Sequence, residues 1–254
     1  MSRLFAIGDI HGHHRELMAL MKRLISGSDL NPGEDTLVFL GDYVDGGPDV
    51  KRVLETLIEW QVQFPHWHFL KGNHEDMMLD ALVYNSSRYG FYGHWWGQGG
   101  KETARSYLPK GASDFQRAIM QPDEFISTSH LDWLHNRPLM YEQDGYIFVH
   151  AGFAPRISLE GQNERDMLWI RETFVDSDWD FDGKRVVFGH TPFAEPVVMT
   201  NKIGIDTMFH DRGKLTAVEL DTVNPQGTPV FTFSPAVEAP PDATLDSARA
   251  FFDE

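Results

Sequence analysis

The sequence predicts an α/β protein whose sheet strands are delivered largely in parallel, and two observations carry that prediction. Short apolar runs alternate with amphipathic helical segments through the first half of the chain, the order expected of β-α-β units with crossover helices. Five of the apolar runs also end alike, in glycine beside Asp, Asn or His. In parallel sheets, functional residues collect beyond the carboxyl ends of the strands.

The elements follow in order. LFAIGD (residues 4–9) is short, apolar and closed by glycine and aspartate, the pattern of a buried strand. Residues 14–25 place Leu17, Leu20, Met21, Leu24 and Ile25 at helical spacing. TLVFLGD (36–42) is a second strand, residues 50–60 a second helix, and WHFLKGN (67–73) a third strand, followed by a helix over 75–84. Residues 85–140 break the alternation. Their opening, rich in glycine and aromatics, and the short helical patterns after it predict a helical cap insertion within one domain spanning 1–234. Strand patterns resume in YIFVHAG (146–152), RVVFGHT (185–191), KIGIDT (202–207), KLTAVEL (214–220) and PVFTFS (229–234). Residues 235–254 form an acidic, proline-rich tail.

Composition narrows the function. The chain has 254 residues, of which 38 are acidic and 22 basic, giving a formal charge of −16. Such a surface repels nucleic acid and anionic membranes, so neither is an expected partner. With no cysteine, disulfides and thiolate metal sites are excluded. No signal-peptide pattern and no run of about 18 apolar residues is present, so a cytoplasmic location is expected.

The strand-end motifs are GDIHG (8–12), GDYVDGG (41–47), GNHE (72–75), HAG (150–152) and GHT (189–191). Glycine lets the backbone turn sharply and approach a ligand closely. Asp, Asn and His supply oxygen and imidazole donors, a set suited to Mn, Fe, Zn or Mg. Each motif alone is an ordinary turn. Five of them converge on one point if their strands are neighbours.

This ordered set closely resembles the calcineurin-like metallophosphoesterase superfamily and, within it, bacterial phosphoprotein phosphatases that act on serine and threonine. With the strand pair at 203–220, the resemblance covers about four-fifths of the chain. It implies a layered α-β-β-α sandwich and a site holding two divalent ions, manganese first, with iron or zinc usable by the same ligands. By that resemblance Asp9 and His11 hold the first ion, Asp42 bridges both, and Asn73, His150 and His190 hold the second. His74 protonates the leaving alkoxide, Asp45 orients His74, and Arg171 in LWIRE binds the substrate phosphate. The implied reaction is direct hydrolysis of phosphoserine or phosphothreonine, and of phosphotyrosine, by hydroxide held between two metals. Hydrolysis of a dinucleoside polyphosphate such as diadenosine tetraphosphate is the alternative, with a small phosphomonoester third. The intact ligand set argues against a binding module without catalysis.

One departure stands out. The family pattern is GDxVDRG, and Gly46 occupies the place of its phosphate-binding arginine. Lys51, Arg52 and Arg88 are candidates to replace that charge. A second departure puts Met208 and His210 after IDT, where a small residue is usual. Tyr92, His94, Trp95 and Trp96 are read as core packing under the cap, or else as a wall of the substrate groove. Glu75 is expected to cap a helix or support a ligand, Asp206 to hold a backbone turn, and His13 and His14 to begin a solvated helix.

Overall fold

Two sheets stacked face to face position everything that follows. In the computed structural model, which describes residues 2–84, 92–108, 124–207 and 213–235, the first sheet holds β1 (Leu4–Ile7), β2 (Thr36–Phe39) and β3 (His68–Phe69) in parallel. The second contains β4 (Met140–Gln143), β5 (Tyr146–Val149), β6 (Arg185–Phe188), β7 (Val197–Val198) and β8 (Lys202–Gly204) in the order β4-β5-β6-β8-β7. There β5, β6 and β8 are parallel, with β4 and β7 antiparallel at the edges. The last two strands, β9 (Thr216–Leu220) and β10 (Val230–Phe233), return antiparallel to the first sheet, whose order is β10-β9-β1-β2-β3.

Strand side chains alternate between faces, and the sequence exploits both. Leu4 and Ala6 of β1 join Val38, Phe148, Val187 and Ile203 in the space between the sheets. Phe5, Ile7, Leu37 and Phe39 point the other way, onto Leu17, Leu20, Leu24, Val53 and Leu57. Those residues belong to α1 (His14–Gly27) and α2 (Val50–Gln63), whose buried stripes follow the helical period. On the outer face of the second sheet, Ile147, Val149, Val186 and Phe188 pack against Phe153, Met167, Phe174 and Phe181. The result is the α-β-β-α sandwich that the resemblance implied. Truncating a fully buried stripe residue such as Leu20 to alanine costs about 2–5 kcal/mol.

Among the described residues the remaining α-helices are α3 (Asn73–Leu79), α4 (Tyr92–Trp95), α5 (Lys101–Ser106), α6 (Thr128–His135), α7 (Glu164–Trp169) and α8 (Glu172–Val175). Three local expectations need correction. The helix expected from residue 75 begins at Asn73, so Asn73 and His74 lie in its first turn, and it continues beyond Leu79 as a π-helical turn, Asp80–Tyr84. β3 is only two residues long. Strands β4 and β7 carry no clear apolar alternation and were not legible, because both are partly exposed edge strands. Among the described residues, no helix is long and apolar enough to cross a membrane.

Candidate metal centre

The parallel strands deliver their ends to one place. Asp9 and His11 follow β1, Asp42 and Asp45 follow β2, and Asn73 and His74 follow β3. His150 and His190 follow β5 and β6 of the facing sheet. The turns are tight enough to force four of these residues into left-handed backbone: His11 (φ 44°), Asp42 (φ 51°), Asp45 (φ 68°) and His190 (φ 61°). Each such residue costs on the order of 1–3 kcal/mol, strain that gathers at functional sites. Two of the motif glycines make room for carboxylates. A Cβ on Gly72 would lie 2.1 Å from Asp42 Oδ1, and one on Gly189 would lie 2.1 Å from Asp9 Oδ1.

Asp42 is the hub. His150 Nε2 lies 3.4 Å from its Oδ1, and His11 Nε2 lies 3.6 Å from its Oδ2. The potential ligand atoms of His11, Asp42 and His74 lie within 4.8 Å of one another, as do those of Asp42, His150 and His190, so Asp42 is common to both clusters. Asn73 Oδ1 is 2.8 Å from His150 Nε2. Asp9 joins through its Oδ2, which accepts from the His190 amide at 3.0 Å.

The donor set fits metal ions. Asp9 Oδ1 and His190 Nε2 are buried with no hydrogen-bond partner, an expensive state for polar atoms unless a cation completes them. His11 Nδ1 faces the Val44 carbonyl at 3.1 Å and His150 Nδ1 faces the Leu40 carbonyl at 2.9 Å. Donation of Nδ1–H to those carbonyls leaves each Nε2 lone pair directed at the cluster, the arrangement that orients metal-ligating imidazoles. Burial pushes His150 down to about 3, and burial, then His150 and Arg171, holds His190 well below its usual range. Both are therefore neutral and able to ligate. The carboxylates show the converse. Burial raises Asp9 and Asp42, Asp42 to about 8, and neighbouring Asp206 adds to both. So many carboxylates packed together without cations resist ionisation, and cations would relieve them.

Glu75 proves to be an organiser of the site. Its carboxylate accepts the amides of Asp42 (2.8 Å), Tyr43 (2.7 Å), Val44 (3.1 Å) and Gly72 (2.8 Å), tying the β2 turn to the start of α3. The Asp206 carbonyl accepts the Phe193 amide at 3.0 Å, and its buried carboxyl acts electrostatically on Asp9 and Asp42. Arg171 donates Nη1–H to the His190 carbonyl at 2.8 Å, which places its guanidinium beside the second cluster.

Other expectations resolve differently. Trp95 is not a groove wall. It is buried, and its indole N–H reaches Asp45 Oδ1 at 3.0 Å, while the Thr103 hydroxyl donates to the same oxygen at 2.6 Å. Thr103 escaped sequence reasoning because nothing in its neighbourhood marks it. His94 lines a cavity of about 640 Å³ together with Asp76, Glu164, Arg165 and Trp169, whose ring lies 6.0 Å from that of His190. Lys51 faces Glu55 at 3.9 Å on the exposed side of α2 and lies over the Tyr107 ring, which makes it a poor replacement for the missing arginine. Arg52 bears on His14 instead. Arg88, Met208 and His210 lie outside the described residues, as does the Tyr92 side chain. His14 is not merely solvated, since its Nε2 pairs with the Thr56 hydroxyl.

A family model for calcineurin-like phosphoesterases matches residues 2–213. The chain belongs to that family. It is 29% identical to serine/threonine-protein phosphatase 1 of Salmonella typhimurium, over 85% of this chain and 91% of that one. It is 25% identical to the asymmetrical bis(5'-nucleosyl)-tetraphosphatase PrpE of Bacillus cereus, over 86% of this chain and 92% of that one. Among solved structures, the cold-active protein-tyrosine phosphatase of a psychrophilic Shewanella superposes with a TM-score of 0.56 at 17% identity, over 91% and 80% of the two chains. This phosphoesterase thus has relatives named for protein and for nucleotide substrates.

Proposed function

We propose that this phosphoesterase hydrolyses phosphoserine and phosphothreonine monoesters, and phosphotyrosine with them, with two divalent ions, manganese first, held by Asp9, His11, Asp42, Asn73, His150 and His190. The ions would supply Lewis acidity toward the phosphoryl oxygens and an activated water. The observation that carries the reading is the His74–Asp45 pair. His74 Nδ1 lies 2.8 Å from Asp45 Oδ2, and its Nε2 turns to the centre, 4.0 Å from Asp42 Oδ2. Burial opposes a charge on His74, yet Asp42 and the hydrogen bond to Asp45 push it up to about 9. With Nδ1 held by Asp45, His74 presents Nε2 to the centre, in place to give a proton to a departing oxygen. An alkoxide leaving from a phosphate ester needs that proton, whereas a phosphate group expelled from an anhydride needs it far less.

Arg171 is assigned to the phosphoryl oxygens, which its planar fork suits. A single phosphoryl dianion needs few cations. A tetraphosphate chain needs more, and the cavity beside the centre carries Asp76 and Glu164 against Arg165. Direct displacement predicts inversion at a chiral thiophosphate; retention would require a covalent intermediate and sink the mechanism.

A second reading is hydrolysis of a dinucleoside polyphosphate. It is favoured by Trp169 in that cavity, a surface on which a nucleobase could stack, and by the tetraphosphatase relatives. Specificity constants for a phosphoserine peptide and for diadenosine tetraphosphate, measured with the manganese-loaded protein, separate the two. The first reading expects the peptide to win. Preference for the dinucleotide overturns it, and cleavage of p-nitrophenyl phosphate alone would point to a small phosphomonoester.

A further inference from the structure

Asp45 has more partners than orienting one histidine requires. Its carboxylate is fully buried. One oxygen meets His74 Nδ1 at 2.8 Å; the other accepts the Thr103 hydroxyl at 2.6 Å. The Trp95 indole N–H lies 3.0 Å from one oxygen and 3.2 Å from the other. Thr103 Oγ1 also accepts the Asp45 amide at 3.0 Å. One hydroxyl therefore grips both the backbone and the carboxylate of a residue held at φ 68°.

These grips come from the inserted segment, not from the sheets. Trp95 ends α4 and Thr103 lies in α5, on either side of a kink at Gln98–Gly99. A Cβ on Gly99 would lie 2.7 Å from the Gly46 amide nitrogen and 3.0 Å from Asp45 Cβ. The segment is thus seated directly on the Asp45–Gly46 backbone. With three donors occupying its lone pairs, the carboxylate has a single orientation, and the plane of the His74 ring is set by it. The other contacts of His74 all lie toward the metal cluster: its amide donates to Asp42 Oδ1, its Nε2 lies 4.0 Å from Asp42 Oδ2, and its ring approaches the His11 ring edge-to-face at 4.8 Å. At 4.0 Å, Nε2 makes no direct hydrogen bond that would fix its direction.

We infer that Trp95 and Thr103 are positioning residues that aim the His74 proton at the leaving group by locking the Asp45 carboxylate, so that the inserted segment is part of the catalytic apparatus. The inference rests on His74 being the proton donor.

The test uses full-length, manganese-loaded protein with Thr103→Val, Thr103→Ser and Trp95→Phe, and His74→Asn as benchmark. Two substrates are compared: a phosphoserine peptide, whose alkoxide must be protonated to leave, and 2,4-dinitrophenyl phosphate, whose phenolate need not be. Thr103→Val and Trp95→Phe should each lower kcat on the peptide about tenfold, the equivalent of one hydrogen bond to a charged group. On the dinitrophenyl ester they should cost about twofold or less, because proton donation contributes little there. Thr103→Ser, which keeps the hydroxyl, should restore the peptide rate. Equal losses on both substrates, or no loss on either, overturn the inference. If His74→Asn itself falls equally on both substrates, the error lies in the assignment of His74 and not in the clamp. Thr103→Val keeps side-chain volume and Trp95→Phe keeps aromatic packing, and melting temperatures report the fold. Should one variant unfold, the other decides; unfolding of both would mean that the contacts serve the fold, which also overturns the inference.

Discussion

Replacing Glu75 by glutamine isolates what holds the site together. Oε2 of Glu75 accepts the amides of Asp42 and Gly72, both at 2.8 Å, and Oε1 accepts those of Tyr43 at 2.7 Å and Val44 at 3.1 Å. Burial raises the Glu75 carboxyl above its ordinary value, and the four amide donors converging on its two oxygens pull the other way, toward the ionised form. A glutamine NH2 would face two amide N–H groups whichever way it turned. Two hydrogen bonds to a charged acceptor are lost, at about 1.5–3 kcal/mol each. Removing a fully buried charge returns part of that, which leaves a net cost of about 3 kcal/mol. Whichever pair loses its bond, Asp42 with Gly72 or Tyr43 with Val44, the turn that carries Asp42 is loosened, so manganese affinity should weaken by about 10–100-fold, the range for a lost supporting contact. Urea unfolding in chelator reads the first effect, and calorimetric titration with Mn2+ reads the second. Glu75→Asp, one methylene short, should fall between. An unchanged unfolding midpoint together with unchanged Mn2+ affinity in Glu75→Gln would refute the reasoning.

Three further outcomes are expected. In metal-free protein, burial pushes Asp42 up to about 8, and the neighbouring carboxylates raise His74 to about 9. From pH ~6.5, the ordinary histidine value, up to about 9, the folded chain holds protons that the unfolded chain has released. Stability should therefore fall as pH rises through that window, while Mn2+ stabilises most at its upper end. Melting curves in chelator that improve from pH 6.5 to 9 would contradict this. Arg171→Lys, which trades a fork for a point charge, should lower kcat/KM for a phosphomonoester by about 10–150-fold with Mn2+ affinity nearly unchanged; full activity would remove Arg171 from the phosphate site. Gly46→Arg should reduce KM for a phosphomonoester about tenfold while costing about 1–2 kcal/mol of stability for a side chain in left-handed backbone. Gly46 lies at φ 77°, and a Cβ there meets nothing nearer than His11 Cβ at 3.6 Å. An unchanged KM in that variant would mean that the phosphate is bound away from Gly46.

Sequence alone determined the parts of this protein that are local in the chain. Apolar runs closed by GD, GN and GH mark where a buried strand hands a candidate metal-binding side chain to the site, and helical spacing in residues 14–25 and 50–60 marks the faces of α1 and α2. Asp9, His11, Asp42, Asn73, His74, His150 and His190 were legible as candidates for that reason, since each sits at a strand end within two residues of a glycine. The same locality hid the edge strands β4 and β7, whose partial exposure leaves no clean alternation. Tertiary structure decided the supports of the site. Thr103 reaches Asp45 across 58 residues, Glu75 gathers amides 31 to 33 residues away, and the His190 amide holds Asp9 across 181. No periodicity encodes such partners. Nothing local marks Thr103, Trp95 reads as core packing or a groove wall, and Glu75 as a helix cap or ligand support; which backbone and carboxylate each one holds is decided only when the fold brings distant segments within hydrogen-bond range.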